Sequence, residues 1–143
     1  MQDPNRSLLR HLVATILFRG NVAVREAPKS FATFKPFDSG LRTPGEILAH
    51  IGDLLEGSVD LLRGEMPVIM SKPVSWDNEI VRFFAAGKEL DSFLASDESI
   101  QIPVEKLIQG PIADALTHIG QIIYLRRAAG SAVRSEAYFQ AEI

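Results

Sequence analysis

Apolar residues recur at helical spacing in four long segments of this chain. Leu8, Leu9, Leu12, Val13, Ile16 and Leu17 form the first apolar face, and Ile47, Leu48, Ile51, Leu54, Leu55 and Leu62 the second. Ile80, Phe83, Phe84, Leu90, Phe93 and Leu94 form the third; Ile112, Ala115, Leu116, Ile119, Ile122, Ile123 and Leu125 form the fourth. No segment reads convincingly as a strand. The polar residues between these faces mark where helices start and stop. Asp3-Pro4 is a cap followed by a first-turn proline, and Pro28 ends the first helix. Thr43-Pro44-Gly45-Glu46 is a capping box with proline at the first helical position, and Gly64 stops the second helix near Leu62. Ser75 caps the third, with Asp77 favourably placed in its first turn. Gly110-Pro111 opens the fourth after a short helical lead-in over Val104 to Gln109. Arg126, Arg127 and Gly130 close it.

These elements predict an all-α fold: a four-helix bundle, residues 1–143 forming a single domain. Its connectors are long, so the topology need not be a simple alternation of up and down. The connector from Ala27 to Arg42 carries Phe31, Phe34 and Phe37, whose rings are expected to pack on the bundle. Loops of this length are uncommon in compact domains and are often functional. The tail from Ser131 has no helical period, but Tyr138 and Phe139 suggest that it packs back.

The fourth helix is expected to be largely buried, yet Asp114, His118 and Gln121 form a polar stripe along it. Buried carboxylates and imidazoles need partners. An aspartate and a histidine one turn apart can simply hydrogen-bond; they can also be half of a metal site. The third ligand would be His50, which lies among Ile47, Ile51 and Leu54 on the second helix. Glu46 and Asp53 flank His50 and are candidates to orient its ring. Two histidines and one carboxylate on facing helices leave a coordination position open, which is the pattern of catalytic rather than closed structural sites. Zinc, nickel or iron all suit these ligands. His11, with no polar companion at helical spacing, reads as a surface histidine.

Composition narrows the partners. A formal net charge of −3 offers no basic face for nucleic acid. The absence of cysteine excludes disulfides and thiolate ligands supplied by the chain. The apolar stretch from Leu12 to Phe18 is too short to span a membrane and lacks a cleavage site after it. A cytoplasmic protein with no membrane partner is the expectation.

His118-Ile119-Gly120-Gln121, with a ligand candidate four residues earlier and Arg126 and Gly130 following, resembles a signature of the DinB-like (DinB/YfiT-type) family of four-helix-bundle metalloproteins. The segment Thr43 to His50 is similar to that family's second-helix segment, which ends in its first metal histidine. The resemblance runs from the first helix to about Gly130. It implies a divalent metal held by His50, Asp114 and His118, and a homodimer. Asp114 stands where the commonest pattern has histidine, and Ile119 where it has arginine. Some family members transfer or add a low-molecular-weight thiol to an electrophile, so a small-molecule enzyme of that kind is the functional expectation. The alternative is a non-enzymatic, stress-associated bundle with a structural metal or a polar core triad.

Overall fold

The computed structural model describes residues 3–38, 40–68 and 72–143. Its long helices are α1 (Pro4–Val24), α2 (Pro44–Leu62), α3 (Trp76–Ala95) and, after the short α4 (Val104–Leu107), α5 (Ala113–Ala128). No strand occurs among the described residues, and no helix there is long and apolar enough to cross a membrane. The fold is an all-α four-helix bundle.

The capping residues do what their types predict. The Asp3 carboxylate accepts from the Asn5 N–H at 2.9 Å. Thr43 Oγ1 accepts from Glu46 N–H at 3.2 Å, and Ser75 Oγ from Asn78 N–H at 3.1 Å. Each satisfies one donor that the first helical turn leaves free. Gly64 ends α2 with a φ of +79°, a conformation that a side chain resists.

Helix α1 packs on α3 and α5, and α2 packs on the same two, so the four helices form a square with α1 diagonal to α2. Contacts at the helix ends set the directions. Arg6, near the start of α1, donates to the carbonyls of Phe93 and Ser96 at the end of α3. Arg126, near the end of α5, donates to the carbonyls of Ala23 and Arg25 at the end of α1. Gln101, beyond α3, donates through its backbone to Leu62 at the end of α2. The order is therefore up, down, down, up. Both arginines place a cation at the negative end of a neighbouring helix. The α2–α3 connection must cross the length of the bundle. Nineteen residues of α2 make a helix of about 28 Å, within reach of the crossover 64–75, which can extend to about 40 Å. Ile69, Met70 and Ser71 of that crossover, including Met70 singled out from the sequence, lie outside the described residues.

The core is one buried cluster to which all four helices contribute, with Leu9, Ile16, Leu48, Ile51, Leu55, Phe83, Leu90, Ile112 and Ile119 fully enclosed. The connector after α1 joins it through Phe31, buried in a 3₁₀ turn over Lys29–Thr33. The Phe31 ring meets Trp76 edge-on at 5.5 Å and stacks on Phe34 at 6.3 Å. Close approach of this connector to α2 needs Gly45: a Cβ there would lie 3.0 Å from the Ala32 carbonyl oxygen.

The sequence reading of the fold needs correction in the connector, where Phe37 stays largely exposed instead of packing on the bundle, in the fourth helix and in the tail. The fourth helix does not begin at Pro111. It is reached from α4 through a π turn over Ile108–Ile112, with Gly110 at φ −94°, ψ −105°. Proline disfavours helical geometry at the residue before it and supplies no N–H for the usual ladder, so the turn widens rather than starting afresh. Leu107 and Ile112, five positions apart, both face the core as a result. In the tail, Tyr138 packs edge-on to Phe18 at 6.3 Å with the Arg19 guanidinium over its ring, but Phe139 is fully exposed. The two residues are adjacent in a 3₁₀ turn and point in different directions.

Candidate metal centre

His50 lies on the second turn of α2, and Asp114 and His118 lie on successive turns of α5. The antiparallel packing of α2 on α5 brings the three together. Asp114 Oδ1 is 3.3 Å from His118 Nε2, and Asp114 Oδ2 is 3.5 Å from His50 Nε2. The two imidazoles meet edge to face with centroids 4.9 Å apart. One ligating atom from each of the three residues lies within 4.8 Å of the other two, and the group can hold a metal ion.

The separations bear on what the group does. A charge-assisted N–H to carboxylate hydrogen bond is about 2.7–2.9 Å long. Both aspartate–imidazole distances exceed that, and neither contact is a hydrogen bond. The two contacts end on different oxygens of the carboxylate, so Asp114 lies between the imidazoles without being hydrogen-bonded to either. Two imidazole nitrogens and a carboxylate are also a donor set suited to a divalent first-row ion. The residues fit a metal.

The orienting hydrogen bond comes from Gln121. Its Oε1 lies 2.7 Å from His118 Nδ1. With Nδ1 protonated, the ring donates to this oxygen and turns its Nε2 lone pair toward Asp114. The residues expected to orient His50 do not. Asp53 is buried on the side of α2 that faces α3, where it pairs with Arg82. Arg82 also grips Glu56 through two nitrogens, at 3.0 and 2.8 Å, and donates to the Ala49 carbonyl at 2.9 Å. These carboxylates raise the pKa of its guanidinium further, Glu56 most. Glu46 is exposed at the first turn of α2 and makes no bond to His50. Asp53 lies three residues after His50, so a helix already turns it toward a different neighbour. His11 is exposed, as expected.

The polar stripe of α5 is less buried than its sequence suggests. The side chains of His118 and His50 retain 14% and 22% exposure, but Asp114 retains 45%. The stripe sits where the apolar face of α5 meets a cavity of about 920 Å³. His50, Asp114, His118 and Gln121 line this cavity from the helices. The connector before α2 walls it with Phe37, Leu41 and Arg42, and Tyr124 of α5 stands beside them. The sequence marked the connector as a long loop of the kind that is often functional, without placing it over any site. Gln121 showed only its position three residues from His118. Arg82 gave no signal, because its partners are far away in sequence.

The arrangement supplies three potential ligand atoms on two helices, a glutamine against one imidazole and an open approach from solvent. Compared with family models, with curated proteins and with solved structures, the chain gives no match.

Proposed function

We propose that this chain is a divalent-metal-dependent enzyme of the DinB-like type, acting on a small molecule in the cavity above His50, Asp114 and His118. The observation that carries the reading is the convergence of three potential ligand atoms at the wall of an open cavity, where neither aspartate–imidazole contact is a hydrogen bond. A structural metal site is closed by a fourth protein ligand. Here no fourth histidine, cysteine or carboxylate joins the group among the described residues.

His50 and His118 would bind through Nε2, and Asp114 through its carboxylate, with zinc, nickel or iron as the ion. Such an ion supplies Lewis acidity that lowers the pKa of a bound thiol or water. The chain's own residues do the rest. Gln121 would hold the proton of His118 on Nδ1, which frees Nε2 for the ion. Arg82 fixes α2, which carries His50, against α3. Phe37, Leu41 and Ile47 give the cavity apolar walls that exclude water from part of a substrate. The reaction we assign is transfer or addition of a low-molecular-weight thiol to an electrophile. In transfer, the sulfur–carbon bond would form as the bond from that carbon to its leaving group breaks. The leaving group would depart with the bonding pair while the thiol proton passes to it or to solvent. In addition, the sulfur–carbon bond would form as the electrophile's π bond opens, and the proton would end on the other atom of that bond. The chain works as a homodimer in this reading. The cytoplasm, where small thiols stay reduced, is its compartment.

The test uses protein loaded with cobalt(II), whose visible absorption reports the groups around the ion. Adding a small thiol is expected to change that spectrum, and the change should be absent in His118→Ala. A loaded protein whose spectrum ignores thiols contradicts the assigned chemistry. Sedimentation at micromolar concentration checks the dimer, and a monomer there removes it.

A further inference from the structure

Arg42 lies at the cavity wall immediately before the Thr43 cap of α2. It is the one lysine or arginine among the residues lining that cavity. It makes no ion pair, hydrogen bond or ring contact among the described residues. Most arginines of the chain are differently placed. Arg10, Arg25, Arg63, Arg82 and Arg134 pair with carboxylates. Arg6 and Arg126 bond to carbonyl oxygens, and Arg19 lies over Tyr138. A guanidinium beside a functional cavity, with its five donors unspent, is chemistry waiting for an anion.

We propose that Arg42 is a specificity residue that binds the carboxylate of the cavity's ligand, a small molecule with an apolar body. The inference rests on the reading of the cavity as the substrate site and names the class of molecule it takes. The apolar body is matched by exposed rings and aliphatic walls. Phe37 and Tyr124 keep 63% and 71% of their surface exposed at the cavity, and Leu41 and Ile47 lie with them. Large exposed aromatics at one opening mark a binding surface rather than ordinary surface scatter.

The donors favour a carboxylate over a phosphate. A planar guanidinium matches a carboxylate or a phosphate through two parallel N–H bonds, so the groups around Arg42 decide between them. A phosphate dianion gains most where several amides and cations converge, as at a helix N-terminus. The α2 N-terminus beside Arg42 offers little. Pro44 has no N–H, the Glu46 N–H is held by Thr43 Oγ1, and Glu46 adds a negative charge to the first turn. Charge balance agrees. A divalent ion with Asp114 leaves one positive charge at the metal end of the cavity, and Arg42 adds one at the wall.

The experiment is calorimetric titration of 4-phenylbutyrate, its primary amide and 4-phenylbutyl phosphate into metal-free parent protein and into Arg42→Gln. The carboxylate is expected to bind at least about tenfold more tightly than the amide, and Arg42→Gln should abolish that difference. Equal binding of carboxylate and amide overturns the inference, as does a preference that survives in Arg42→Gln. Tighter binding of the phosphate overturns the carboxylate assignment. Zinc stoichiometry is measured on both proteins. If Arg42 discriminates carboxylates in a protein that takes up no zinc, the inference stands and the metal reading falls. If both proteins take up one zinc without the carboxylate preference, the metal reading stands and Arg42 has no such role.

Discussion

In the proposed site the two ring nitrogens of His118 have different tasks, and the contact with Gln121 divides them. Removing its carbonyl lets the neutral ring place a proton on Nε2 and turn from Asp114. Gln121→Leu is expected to weaken zinc binding about tenfold or more while the helix persists, because groups that orient a ligand cost that much when lost. Competition titration against a chromogenic chelator measures it; unchanged affinity would remove Gln121 from the site. The three residues that converge were legible in the sequence. His50, Asp114 and His118 carry their chemistry in their residue types, and helical periodicity put two of them on one stripe. Asp53 was misleading for the opposite reason. Its nearness to His50 in sequence was plain, but the guanidinium that claims it, Arg82, comes from α3.

At the level of elements, the connector 25–43 and the tail decide how the helix ends and the cavity wall are held. Phe31 anchors the connector by inserting into the core against Trp76. Phe31→Ala is expected to cost about 3 kcal/mol in chemical denaturation, and limited proteolysis should then cut the connector first. A variant as stable and as protease-resistant as the parent would contradict that role. The tail is held by Ser131 on Arg126 and by Glu136 on Arg25. The Arg25 partner holds the Glu136 carboxyl below the ordinary glutamate pKa of 4.5, with Arg134 adding to it. A depressed acid releases its proton more readily when docked. Its contribution is therefore full above that ordinary value and is lost as pH falls through the depressed one. Hydrogen exchange of residues 131–143 should rise in that acid window while α1 and α5 stay protected. Tail exchange that does not change there would contradict the pairing. The caps Asp3, Thr43 and Ser75 announced three helix starts from sequence. The π turn did not announce itself, since Gly-Pro serves equally as a helix start and as a widened turn.

For the molecule as a whole, packing converts three separated residues into a site. The direction of the helices lay beyond sequence reading: apolar stripes say that faces pair, while direction follows from end contacts such as Arg6 on α3 and Arg126 on α1. The up-down-down-up order sets α5 antiparallel to α2 and brings His118 level with His50. The claim that most depends on this geometry is that one ion sits among His50, Asp114 and His118. The direct measurement is metal stoichiometry by elemental analysis, on parent protein and Asp114→Ala, both purified without a metal-affinity tag and dialysed against zinc. Circular dichroism confirms that each is helical, since alanine suits a helix. One zinc per chain in the parent, and its loss in Asp114→Ala, is the predicted result. A parent without zinc, or a variant that keeps it, would contradict the account.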